Sequence, residues 1–141
     1  MKFIILAMFV AVAAAGEMKF QDCGHGEVKK LLVSDCSGDY CIIHKGKKLS
    51  MEADFVANQD SPTAVIKISA KVNGVELQVP GIETNGCHHM KCPLVKGQSY
   101  QFKYDLVIPQ ILPNVKADVT ASLTGAHGLL ACGTVHGEVQ N

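Results

Sequence analysis

The sequence contains no tryptophan and no arginine; all 13 of its basic residues are lysines. Without the planar guanidinium fork it has no side chain suited to gripping phosphates or base edges in bidentate fashion. Its 13 Lys are matched by 13 Asp and Glu, so no excess of positive charge is left to attract a phosphate backbone, and nucleic acid is excluded as a partner. Aromatic residues make up only 6% of the chain although hydrophobic residues make up 48%. The interior must therefore be filled by aliphatic side chains and alanine. Asn58, Asn73, Asn85, Asn114 and Asn141 all fail the N-x-[ST] pattern, so N-glycosylation is not expected. None of Ser34, Ser37, Ser50, Ser61, Ser69, Ser99 and Ser122 sits in a G-x-S-x-G elbow. Internal repeats, low-complexity tracts and segments with a helical period are also missing.

The amino terminus holds the one long apolar run. Lys2 precedes an apolar or small stretch from Phe3 to Ala15, and Ala13 and Ala15 give the small-x-small pattern of a signal-peptidase site. Residues 1–15 are read as a signal peptide and residues 16–141 as one domain, which places the protein outside the cell. The run is too short to span a bilayer as a helix, and no stable membrane anchor is expected. Removing Lys2 with the leader leaves 12 Lys against 13 acidic residues. A mature chain of about 125 residues can close one core but not two.

All six cysteines lie in the body, at Cys23, Cys36, Cys41, Cys87, Cys92 and Cys132. An even number behind a signal peptide reads as a framework of three disulfides, for which 15 pairings exist. The spacing narrows them: Cys36 and Cys41, like Cys87 and Cys92, are close enough to be bridged across a tight loop, leaving Cys23 and Cys132.

Through the body the dominant pattern has period two. Leu49 to Phe55, Ile66 to Val72, Val75 to Val79, Phe102 to Ile108 and Val119 to Leu123 alternate apolar with polar residues, and Asn73-Gly74 makes the second and third runs a hairpin. Short strands at this spacing predict an all-β sandwich or small barrel. Because side chains alternate across a strand, Leu49, Met51, Phe55, Ile66, Ile68, Val72, Leu77, Val79, Phe102, Tyr104, Leu106, Ile108, Val119 and Leu123 are placed inward, with Ala121 between the last two. Lys67, Lys71, Glu76, Lys103, Asp105 and Thr120 are placed outward. Alternation alone makes the inward set an ordinary packed core, since most sandwiches are filled; periodicity does not reveal a cavity.

Candidates for chemistry are few. Cys87-His88-His89-Met90-Lys91-Cys92 packs metal-ligand types together, but a disulfide would consume both thiolates, so the reading is a disulfide loop with exposed histidines and no metal. His25, His44, His127 and His136 stand in Gly-rich or turn contexts, as surface or capping residues do. The acidic residues sit on outer faces or in turns. No enzyme and no cofactor is expected.

Several strings nevertheless form a pattern. Asp22-Cys23-Gly24, Cys41-Ile42-Ile43-His44-Lys45-Gly46 and Ala57-Asn58-Gln59-Asp60 resemble the mite group 2 allergens, as do Val79-Pro80-Gly81-Ile82-Glu83-Thr84-Asn85, the run from Met90 to Gly97, and Gly128-Leu129-Leu130-Ala131-Cys132. The resemblance covers nearly the whole mature chain and all six cysteines. That family belongs to the ML lipid-recognition domains, with the Niemann–Pick type C sterol carrier and the co-receptor that presents lipopolysaccharide. It implies an immunoglobulin-like β-sandwich of two antiparallel sheets splayed around an internal hydrophobic cavity. It also implies the pairings Cys23–Cys132, Cys36–Cys41 and Cys87–Cys92, and it turns the inward residues from core into cavity wall. Two positions depart from the family pattern. Leu106 stands where dust-mite relatives have Trp, which should enlarge the cavity, and His89 stands where relatives have an aromatic or apolar residue, which makes one loop more polar.

The expected ligand is a sterol or a fatty acid, the expected location extracellular, and antibodies or an innate-immune receptor are the expected protein partners. The rival reading from another class is an interaction module that presents bacterial lipid to a receptor. A small hydrolase with scattered residues is a third, and no motif supports it.

Overall fold

The computed structural model describes residues 15–141; apart from its last position, the expected leader lies outside the described residues. Ten strands make two sheets. The smaller has the order β1 (Ala15–Glu17), β3 (Val28–Ser34), β5 (Lys48–Val56) and β8 (Ser99–Val107). The larger runs β2 (Gln21–Asp22), β10 (Gly128–Gln140), β9 (Lys116–Gly125), β6 (Val65–Val72) and β7 (Val75–Gln78), with β4 (Cys41–His44) also on β10. The only helical element among the described residues is a 3-10 turn at Gly86–His88. The architecture is the immunoglobulin-like sandwich that the resemblance implies, with all three of its disulfide pairings present.

Local chemistry sets the elements. Asn73 and Gly74 both take positive φ, +52° and +82°, which is what a two-residue hairpin turn needs to match the twist of β6 and β7. Among the described strands every pairing is antiparallel except one: β4 runs parallel to the last residues of β10, from Gly137 opposite Cys41 to Gln140 opposite His44. Gly137 makes that approach possible, because a Cβ there would stand 2.2 Å from the Cys41 carbonyl oxygen. The turn between β9 and β10 is pinned from the loop after β5. The Gln59 side-chain amide donates to the Gly128 carbonyl at 3.1 Å, Asn58 donates to the Leu129 carbonyl at 3.0 Å, and the His127 amide donates back to Gln59 at 2.7 Å.

The apolar interior is divided. Phe55, Ala57, Ala64, Leu94, Leu130 and their neighbours close one end of the sandwich, while Met18, Val33, Cys36 and Cys41 form a second cluster under β1, β3 and β4.

Candidate functional site

Between the two clusters lies a cavity of about 110 Å³, several times the roughly 10–15 Å³ that admits one water molecule. The smaller sheet contributes Val28, Leu31, Val33, Leu49, Met51, Ala53, Phe55 and Phe102 to its wall. The larger contributes Cys41, Ile43, Ile66, Ile68, Val119, Ala121, Leu123, Ala131, Cys132, Gly133 and Val135, and Phe20 leans in beside β2. Ser122 and His136 touch the wall from positions whose strand neighbours face inward, and the His136 ring is turned to Asp118, its Nδ1 2.6 Å from a carboxylate oxygen. Apart from these two the wall is aliphatic and phenyl with the Cys41 and Cys132 sulfurs, and it holds no carboxylate or ammonium.

Of the residues placed inward from the sequence, Leu49, Met51, Phe55, Ile66, Ile68, Phe102, Val119, Ala121 and Leu123 line the cavity. Tyr104 and Ile108 are buried elsewhere. Tyr104 is fastened to the side loop, its hydroxyl accepting the Glu83 amide at 2.9 Å. Val72, Val79 and Leu106 are only half-buried and do not reach the wall. Leu106 packs against the main cluster instead. Leu77 overturns its inward placement outright, being 53% exposed. Alternation points it the right way, but β7 is the free edge of the larger sheet and the smaller sheet ends at β8, so nothing covers it.

Most of the wall residues that sequence patterning missed lie on β3, β4 and β10, with Ala53 on β5 and Phe20 just before β2 besides. Val28-Lys29-Lys30-Leu31-Leu32-Val33 breaks its alternation, and the register slips there between Val28 and Lys30. On β10, Ala131, Gly133 and Gly137 are too small to register as an apolar stripe, and a bulge lies between Leu129 and Ala131.

The disulfide loop closes one flank. His88 and His89 both bond Glu83, the His89 Nε2 at 2.7 Å, and the His89 ring stands edge-on to Tyr104 with centroids 4.6 Å apart. Those hydrogen bonds, from His88 first and then His89, hold the Glu83 carboxyl below the usual glutamate range. The polar character expected of His89 is therefore absorbed by an internal partner. Among the described residues no group of three His, Cys, Asp or Glu is arranged to hold a metal ion.

Fold and cavity together define a class: an immunoglobulin-like sandwich with an apolar hollow between its sheets. The ML domain family model matches residues 17–139. Mite group 2 allergen Lep d 2 of Lepidoglyphus destructor is 58% identical over 140 residues, covering 99% of both chains. Mite group 2 allergen Der p 2 of Dermatophagoides pteronyssinus is 47% identical over 133 residues, 93% of this chain and 91% of that one. The chain belongs to the ML domain family and, within it, to the mite group 2 allergens. A crystal structure of a Niemann-Pick type C2 protein from the Japanese carpenter ant shares the fold, with a TM-score of 0.79 at 17% identity over 86% of this chain and 99% of that one. No helix among the described residues is long and apolar enough to cross a membrane.

Proposed function

We propose that this protein is a secreted, non-catalytic carrier that holds a sterol or a fatty acid between its two sheets. The observation that supports this is the wall itself: a hollow inside a small domain, faced from both sheets by aliphatic and phenyl side chains. Each methylene moved from water into it gains about 0.8 kcal/mol, so a long chain binds without a polar anchor. One methylene more or less therefore changes affinity only about fourfold, and the carrier is accordingly promiscuous for chain length. Its relatives are named as allergens, and antibodies are the protein partners in keeping with that name.

Displacement of a fluorescent fatty acid or sterol from the purified protein tests the reading. Mass spectrometry of lipid extracted after native purification names the ligand. Saturable displacement is expected; a protein that neither binds the probe nor carries lipid overturns the proposal.

A further inference from the structure

Two Asn-Gly steps occur in the chain, Asn73-Gly74 and Asn85-Gly86. With glycine next in line, no side chain shields the following backbone nitrogen from the asparagine carboxamide. The fold treats the two steps in opposite ways.

At Asn85-Gly86 the groups that could react are engaged. Gly86 is buried, and its amide donates to the Ala64 carbonyl at 2.7 Å. The Asn85 carboxamide caps the 3-10 turn, its Oδ1 accepting the Cys87 amide at 3.0 Å, and its Nδ2 stands 3.2 Å from the His88 Nε2. A Cβ on Gly86 would meet the Ala64 Cβ and carbonyl oxygen at 3.0 Å, so the backbone there has little room to turn.

At Asn73-Gly74 the same groups are free. Both residues are exposed, and nothing lies within 4 Å of where a Gly74 Cβ would stand. Among the described residues neither the Gly74 amide nor the Asn73 carbonyl has a backbone hydrogen-bond partner outside the strands. Positive φ at both residues makes the turn type I′. Type II′, the other two-residue hairpin turn, differs by a flip of the single peptide plane between them. That flip keeps the first φ at about +60° and takes its ψ to about −120° and the glycine φ to about −80°. Asn73 already stands at +52° and glycine accepts either sign, so β6 and β7 keep their register through the flip. At the new ψ the Gly74 nitrogen lies on the same side as the Asn73 Cβ, within reach of the carboxamide carbon.

We propose that Asn73 is a site of spontaneous deamidation, with the type II′ form of the hairpin as the reacting one. The Gly74 nitrogen bonds to the Asn73 Cγ and gives up its proton. The carboxamide nitrogen leaves with a proton as ammonia, which closes a five-membered imide. Water then opens the ring. Breaking the bond from nitrogen to Cγ yields aspartate; breaking the bond from nitrogen to the backbone carbonyl yields isoaspartate, whose chain runs on through the side chain. Water is the only co-reactant. The isoaspartyl turn is longer by a methylene and no longer fits a two-residue loop, so β7 loosens from β6. The site goes beyond the carrier reading and does not depend on it.

Incubation of the folded, disulfide-bonded protein in mildly alkaline buffer, followed by peptide mapping with mass spectrometry, is the test. The Asn73 peptide should gain one dalton and split into two species, of which the isoaspartyl one accepts a methyl group from protein isoaspartate methyltransferase. Asn85 should react about tenfold or more slowly, since its neighbouring amide must first leave a buried hydrogen bond. In the reduced, unfolded chain that difference should largely vanish. Gly74→Ala should slow the reaction at Asn73 severalfold, because the new methyl shields the nitrogen. An Asn73 that stays intact in the folded protein, or one that reacts no faster than Asn85 there, overturns the proposal. An unchanged rate in Gly74→Ala overturns it as well.

Discussion

Val119 and Ala121 both face the cavity from β9, two residues apart, with Phe102 and Leu49 also on the wall. A close-packed interior resists added volume, and overpacking typically costs about 1–3 kcal/mol. At Val119→Phe or Ala121→Leu the added atoms have the hollow to enter, so thermal melts should show a loss below that range while lipid displacement weakens clearly. Lys67→Glu and Lys103→Glu, on the outer faces, should change neither. Glu27 makes a different case, being buried yet ionised. Burial pushes its carboxyl up, but donors from the His25 amide at 2.7 Å and the Asn58 side chain at 2.7 Å outweigh that, and the net displacement is below the usual glutamate range. A carboxyl held lower in the fold than in the unfolded chain adds stability above its ordinary pKa and loses it as pH falls through the folded value. Denaturant titrations across the acid range should show stability falling with pH, and Glu27→Gln should flatten that slope. An unchanged slope would mean that other carboxylates carry it.

Strands with one clean buried face are legible in the sequence alone. β5, β6 and β9 and the Asn73-Gly74 turn all follow from alternation and turn chemistry, because a half-buried strand writes its two faces into every second residue. β10 escaped although it is the longest strand and pairs with β2, β4 and β9. It is crowded on several sides, and close approach selects glycine and alanine, which carry no periodic mark. For the cavity the limit is of another kind: alternation reports which way a side chain points, not whether another sheet lies in front of it. That is why Leu49 and Leu77 look alike in sequence and differ in the fold. β10 also gives this scale its prediction. In Gly137→Ala the new methyl would meet the Cys41 carbonyl oxygen at 2.2 Å, and backbone cannot yield as a side-chain tip does. β4 should separate from β10, seen as faster amide hydrogen exchange at Ile42 and Ile43 than in wild type, with exchange in β6 unaltered.

Over the whole chain, Cys23–Cys132 closes a separation of 109 residues, whereas Cys36–Cys41 and Cys87–Cys92 each close 5. Loop-closure entropy makes the long bridge worth about 4.7 kcal/mol and each short one roughly 2. Removing Cys23 and Cys132 together should therefore lower the melting temperature more than removing either short pair, and a larger loss from Cys36 and Cys41 would contradict the entropic account. Ordinary thermal ledgers overlook one property of such a molecule, which is its volume. The space between the two apolar clusters belongs to the folded state alone; in the unfolded chain it is given over to solvent, and the whole system shrinks. Compression therefore works against this fold more than against a filled sandwich of the same length, and a guest seated between the sheets, by occupying that space, makes the molecule harder to crush.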